Sequence, residues 1–199
     1  GVRKSQPMTI HILKRGIAMN RLNIPTFESS PDASQPLLEA VKKQLGVIPN
    51  LMKLIGNSPA ALEGYLSLNG ALSKGTLGAK TGERIALAIA EFNRCDYCLS
   101  AHTYLATNVA KLDVVEVNAN RLGESTDPKA NAAVRFALSI AQQKGHVSNA
   151  KMGDIKAAGF SDAQIIEIIL HVALNTLTNY VNSVAQTVID FPKVHAYPV

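Results

Sequence analysis

A polar residue, then often a proline, then apolar residues recurring every three or four positions: this punctuation, repeated along the chain, commits it to helices. Asp32 or Ser34, with Pro36 in the first turn, opens a helix through Leu37, Leu38, Val41 and Leu45 that Gly46 closes. Ser58-Pro59 opens a second, carrying Leu62, Tyr65, Leu66 and Leu68 to a stop at Gly75. Asp113 caps a short helix ending near Leu122-Gly123, Asp127-Pro128 begins another through Val134, Phe136, Leu138 and Ile140 to Gly145, and Ser148 to Gly159 forms one more. In each, a cap oxygen satisfies an orphan N–H, and proline at the first helical position removes a donor that had no partner.

Two longer segments, Thr81 to about Asn108 and Ser161 to about Ile189, are more evenly apolar, which places them at the centre of a bundle. Ser161 with Gln164 makes a capping box for the second. No run of alternating β-branched residues bounded by turns occurs. The expected fold is therefore all-α, a helical bundle of about seven to eight helices. At an offset of 82 residues Asn93 falls on Asn175, and Cys95, Cys98 and His102 fall on Leu177, Tyr180 and Val184. This suggests a degenerate internal duplication whose second half, 127–190, is scaffold.

With 199 residues, 47% hydrophobic and 18% charged, the chain can bury a full core, and residues 19–199 are expected to form one domain with a redox site at 81–109. Residues 1–18 read as a leader or appended segment, poorly packed, with Met19 as an alternative start. The apolar run Ile10 to Leu13 is too short for a secretory signal or a membrane span. The formal charge of +5 is scattered rather than gathered into a basic stripe with interleaved aromatics, so neither nucleic acid nor membrane is expected as a partner.

The only two cysteines, Cys95 and Cys98, stand three positions apart, too close to staple distant parts of a fold and at the spacing of redox or metal-binding pairs. That usage points to a reducing, cytoplasmic setting. On one helix Cys95, Cys98 and His102 share a face, so an imidazole lies beside two thiols. A thiol attacks as its thiolate, which a neighbouring base or helix N-terminus favours. Asn93 reads as the N-cap of this helix, putting Cys95 in its first turn, where the dipole favours an anion, while Cys98 is better placed for His102. Spacing leaves the choice between the thiols open.

In one straight helix Glu83 would sit about 18 Å along the axis from Cys95. If the chain instead turns at Phe92-Asn93 and the two halves pack antiparallel, Glu83 comes opposite His102 and can hold its charged form. The hairpin is the expected arrangement.

At these residues the sequence resembles the alkylhydroperoxidase D and carboxymuconolactone decarboxylase family, in particular its peroxidase-related branch. The family's glutamate, Cys-x-x-Cys and histidine are filled by Glu83, Cys95, Cys98 and His102. Val47-Ile-Pro-Asn-Leu-Met, Ser58-Pro and Ala173-Leu-Asn-Thr-Leu-Thr-Asn-Tyr-Val-Asn also look like this branch, so the likeness runs from about Val47 to Val194. It implies an all-helical fold, homo-oligomers such as trimers or hexamers, and an oxidoreductase that reduces hydroperoxides without a cofactor. By the same resemblance Cys98 attacks the peroxide, Cys95 resolves the sulfenic acid to a disulfide, His102 and Glu83 carry protons, and a thiol or lipoyl-type protein is the reductant. Asp96-Tyr97 replaces the Ser-His of alkylhydroperoxidase D itself. The decarboxylases lack the cysteine pair, which argues against decarboxylation here.

Other readings compete. The same pair could serve a redox-sensing or interaction protein without efficient turnover, or, with His102 and Glu83, a metal-binding helical module, although structural zinc usually draws ligands from separate segments. Glu91 joins the relay only if the helix runs on past Asn93, and is otherwise a helix-end carboxylate. Tyr97 could bind substrate, but is expected to pack with its hydroxyl at the surface. His171 reads as a satisfied core residue, and Asn175, Asn179 and Asn182 as ties between helices. His11, His146 and His195 carry no argument.

Overall fold

The computed structural model describes residues 20–198. The leader expected at 1–18 lies outside the described residues. Among those described, nine helices and no strand follow one another: α1 (Gln35–Leu45), α2 (Asn50–Ile55), α3 (Pro59–Leu72), α4 (Gly78–Phe92), α5 (Asp96–Asn108), α6 (Val114–Arg121), α7 (Pro128–Gln142), α8 (Asn149–Ala157) and α9 (Asp162–Ala185). No single helix among them is long and apolar enough to cross a membrane.

The fold is all-α, as expected, with one more helix than the expected count. The addition is α2, whose six residues are too few to show a period and whose N-cap, Pro49, makes no side-chain cap. At α1 Ser34 is the N-cap, but its buried Oγ donates to the carbonyl of Gly56 at 2.7 Å instead of capping the first turn; five other caps act where the sequence puts them. Ser58, Asp113, Asp127, Ser148 and Ser161 each accept a backbone N–H in the first turn of their helix, and Ser161 with Gln164 completes the capping box. Gly46 ends α1 at φ +80°, a conformation that a Cβ would strain. Helix α3 stops at Leu72, short of Gly75, and the loop that follows is held by α9: Glu167 accepts from the N–H groups of Thr76 (2.9 Å) and Leu77 (3.1 Å).

Helix α4 is the centre. Every side chain from Ile85 to Ala90 is buried, and the alanines among them let α5, α6, α7 and α9 approach on all sides. One apolar cluster joins Ile85 and Ile89 to Phe136, Ile140, Ile155 and Ile168. Another joins Leu38, Leu51, Met52, Ile55 and Leu62 to Ala90, Cys95, Tyr97, Cys98 and Leu99. The cysteine pair therefore lies inside the core, where α2, α3, α5 and the end of α9 meet.

One buried charge ties this frame together. Glu116, 3% exposed, pairs with Arg84 at 2.6 Å and accepts from Ser125, Thr126 and Asn120. Burial opposes its charge, but the hydrogen bonds from Ser125, Thr126 and Asn120 prevail and hold the carboxyl well below 4.5.

Candidate active site

The segment 81–108 is a hairpin. Helix α4 ends at Phe92, Asn93 is its C-cap, and Arg94 turns the chain at φ +55°. The N–H of Cys95 reaches back to the carbonyl of Ala90 at 3.0 Å, closing the turn. Cys95 is the N-cap of α5, its Sγ accepting the N–H of Cys98 at 3.3 Å. Two expectations are corrected here: Asn93 ends α4 instead of opening α5, and Cys98 rather than Cys95 occupies the first turn. The left-handed residue after Asn93 decides it, because a helix cannot start until the chain leaves that conformation.

The antiparallel return brings Glu83 opposite His102. Glu83 Oε2 lies 2.9 Å from His102 Nδ1, with both side chains 21% exposed. That contact leaves the far nitrogen of the ring, Nε2, for proton exchange. Burial works against a charge on His102, but the Glu83 carboxylate and the sulfur of Cys98 raise its pKa.

Both cysteines are free thiols, each 2% exposed. Burial opposes ionisation of Cys98. A hydrogen bond from the Cys95 thiol, the charge of His102 and the amides of Asn182 and Asn179 outweigh it and bring Cys98 down to about 7. Cys95 is pushed the other way by that same hydrogen bond, by burial and by the charge of Cys98. The surroundings thus separate two thiols that spacing alone left equivalent.

Three residues that sequence reasoning placed elsewhere stand at this site. Asn182, on α9 and 3% exposed, donates from Nδ2 to Cys98 Sγ at 3.3 Å. Asn179, fully buried one turn earlier, accepts at Oδ1 from Asn93 Nδ2 at 2.9 Å, so it does tie two helices, but its own Nδ2 is left facing the sulfur's surroundings. Buried amides on an apolar helix cost about 1–3 kcal/mol for each group left unpaired, and that cost was the available sign of a role beyond packing. Tyr65, on the apolar face of α3, stands near enough to Cys98 and Glu83 that, after burial, their charges oppose its ionisation. Nothing in its spacing distinguishes it from a core residue.

Other candidates are drawn away. Glu91 pairs with Arg121 at 2.8 Å and accepts the N–H of Tyr197 at 2.7 Å, because α4 ends before it can turn toward the thiols. Tyr97 is buried, against expectation: its hydroxyl donates to Asp190 at 2.8 Å and accepts the N–H of Leu51 at 3.1 Å. His171 is not a fully buried core residue. It is partly exposed, packs on Gly82 and feels the charges of Glu83 and His102. Asn175 spends its Nδ2 on the carbonyl of His171.

The segment after α9 folds back over the first turn of α5. Asp96 accepts the N–H of Ala196 at 2.9 Å and contacts His195 Nδ1 at 2.7 Å, Ser100 receives the N–H of Val194 at 2.9 Å, and Phe191 packs edge-on against Tyr97. Two surface clefts, of about 440 Å³ beside Arg135 and Lys151 and about 290 Å³ beside Arg84 and Lys129, contain neither cysteine. No group of three or more His, Cys, Asp or Glu placed to hold a metal occurs among the described residues.

The model of the carboxymuconolactone decarboxylase family matches residues 59–139, from α3 into α7. An uncharacterized protein of Haemophilus influenzae is 49% identical over 45 residues, 22% of this chain and 40% of that protein, so the match spans less than half of the relative's length. Among solved structures, a peroxidase-related protein from Ralstonia eutropha JMP134, described as an alkylhydroperoxidase AhpD core, superposes with a TM-score of 0.77 at 20% identity, covering 88% of this chain and 94% of that one. A peroxidase-related protein from Silicibacter sp. TM1040 gives 0.76 at 21% identity over 88% and 94%. The debrominase Bmp8 in complex with 2,3,4-tribromopyrrole gives 0.69 at 22% identity over 87% and 94%. These structural likenesses establish the fold.

Proposed function

We propose that this chain, whose residues 59–139 match the model of the carboxymuconolactone decarboxylase family and which has the alkylhydroperoxidase D-like fold, is a thiol-dependent peroxidase that reduces hydroperoxides. The observation that carries this reading is the pairing of a thiol favoured as thiolate, Cys98, with a second, protonated thiol on the same turn and a Glu83–His102 pair behind it.

The Cys98 thiolate attacks the terminal oxygen of the hydroperoxide. An S–O bond forms, the O–O bond breaks, sulfur gives up two electrons, and the departing alkoxide takes a proton from His102. Cys95 then passes its proton to His102 and attacks the sulfenic sulfur. The S–S bond forms, S–O breaks, and hydroxide leaves as water with that proton. An external dithiol or lipoyl-type protein returns two electrons and two protons to reopen the disulfide. Glu83 holds His102 in the orientation and charge state this exchange needs.

The protein is further proposed to work as a homo-oligomer in the cytoplasm. Leu177, Tyr180 and Val184 leave 43%, 60% and 63% of their surface exposed along one face of α9, an arrangement a second copy would cover. The burial of both cysteines favours a second reading, a sensor oxidised slowly and without turnover. The likeness to a debrominase adds halogenated pyrroles to the substrates worth testing.

The deciding experiment is a stopped-flow measurement of thiol loss against hydrogen peroxide, alkyl hydroperoxides and a brominated pyrrole, with disulfide formation followed by mass. Fast loss with a peroxide, abolished in Cys98→Ser, supports the enzyme. Full activity in that variant rejects the scheme, and slow oxidation accompanied by a change of oligomer supports the sensor.

A further inference from the structure

Helix α9 carries three asparagines on its inner side, and they are not equivalent. Asn175 is satisfied within its own helix, its Nδ2 on the carbonyl of His171 at 2.8 Å. Asn179 and Asn182, 0% and 3% exposed, each keep one amide atom without a hydrogen-bonding partner. In Asn182 that atom is the acceptor Oδ1; in Asn179 it is the donor Nδ2, which is near enough to favour the Cys98 thiolate but makes no hydrogen bond to its sulfur.

The orientation of both groups follows from their neighbours. A thiolate accepts hydrogen bonds and cannot donate, so Asn182 must turn its amino end to Cys98, where Nδ2 lies 3.3 Å from the sulfur, and its carbonyl end is left over. Asn93, the C-cap of α4, donates to Asn179 Oδ1 at 2.9 Å, which fixes the amino end of Asn179 on the Cys98 side. Buried amide atoms are almost always paired in folded proteins, and an unpaired donor and an unpaired acceptor beside one nucleophile match a small guest that both donates and accepts. A hydroperoxide does so through adjacent atoms, its O–H as donor and its oxygens as acceptors.

We propose that Asn179 and Asn182 are the hydroperoxide-binding pair, Asn182 Oδ1 accepting the peroxide O–H and Asn179 Nδ2 donating to a peroxide oxygen, with Asn93 as the positioning residue for Asn179. This rests on the peroxidase reading and adds its substrate-recognition groups. Asn182 then holds both reactants with one planar amide: its nitrogen on the sulfur and its oxygen on the peroxide. That orients the terminal oxygen toward the thiolate. After S–O bond formation, Asn179 Nδ2 remains to donate to the oxygen transferred to sulfur.

Thiolate stabilisation and peroxide recognition separate if two electrophiles are compared where Cys98 is fully ionised. Wild type, Asn182→Leu and Asn179→Leu are each titrated to the alkaline plateau of their own pH profile. Cys98 is then reacted in single turnover with hydrogen peroxide, and separately with methyl methanethiosulfonate, which has no hydrogen-bond donor. The expected result is a fall in peroxide rate of at least about tenfold in each variant. The methanethiosulfonate rate should change less than about threefold, a difference loss of folding would not produce. If the leucine variants fail to fold, Asn182→Ser and Asn179→Ser give the same comparison with small polar replacements. Plateau peroxide rates equal to wild type, or a parallel fall with both reagents, overturn the proposal and leave the peroxidase reading standing. Wild-type protein oxidised no faster than free cysteine overturns both.

Discussion

Replacing Cys95 with alanine is expected to raise the pH at which Cys98 becomes reactive. In the wild-type site Cys98 is lowered from 9.0 to about 7. That drop corresponds to a net preference for the thiolate on the order of a few kcal/mol. The preference survives burial because four groups oppose it, of which the Cys95 hydrogen bond contributes most, ahead of the charge of His102 and the amides of Asn182 and Asn179. A hydrogen bond to a charged group is worth about 1.5–3 kcal/mol, so its loss should return the midpoint by about one to two pH units. At pH 7 the ionised fraction then falls from about one half to roughly one in ten or less. The assay is the pH profile of Cys98 modification by methyl methanethiosulfonate, read by mass. Cys95→Ala leaves Cys98 as the only cysteine, so each adduct reports one site. A midpoint in Cys95→Ala equal to or below that of wild type would refute the reasoning, and would transfer the main stabilising role to His102.

Glu83→Gln should lower peroxide turnover on the order of a hundredfold with little change in KM, because it removes a proton-transfer partner rather than a substrate contact. Since the Glu83 carboxylate raises the pKa of His102, the alkaline limb of the pH–rate profile should move to lower pH in that variant. Glu116→Gln leaves the part-buried Arg84 without its charged partner and should cost about 3 kcal/mol in urea unfolding at neutral pH. The depressed pKa of Glu116 means that its contribution is full above 4.5 and is lost as pH falls below it, so the gap between wild type and variant should narrow in acid. Tyr97→Phe removes the hydrogen bonds to Asp190 and Leu51 and should cost about 1–3 kcal/mol. Hydrogen exchange in residues 189–197 should rise while the Cys98 titration midpoint stays within about half a pH unit, since Tyr97 makes no bond to the sulfur.

The helices were legible because their signals are local. A cap oxygen, a proline and a glycine act on backbone groups within one turn, so Ser58-Pro59, Asp127-Pro128 and Ser161 with Gln164 could be placed from the residues themselves. Helix α2 was not legible, since six residues opened by Pro49 depend on packing against α1 and α3. The left-handed turn at Arg94 also left no trace in the sequence. It is a non-glycine residue held there by the backbone bonds that close α4, and it reverses the roles read for Asn93 and Cys95.

The site divides along the same line. Sequence alone determined the chemistry available: two thiols one turn apart, a histidine one turn further, and a glutamate that a hairpin could return to it. Only the tertiary structure decided how these groups differ. The pairing of Glu83 with His102 needs the fold-back of α5 on α4, and the distinction between Cys95 and Cys98, led by the hydrogen bond between them, is reinforced by the charge of His102 and by the Asn182 amide that α9 delivers from 84 residues away. A thiol's pKa and a substrate's hydrogen-bond partners are set by whichever groups lie within a few ångströms, and in a helical bundle those come mostly from helices distant in sequence.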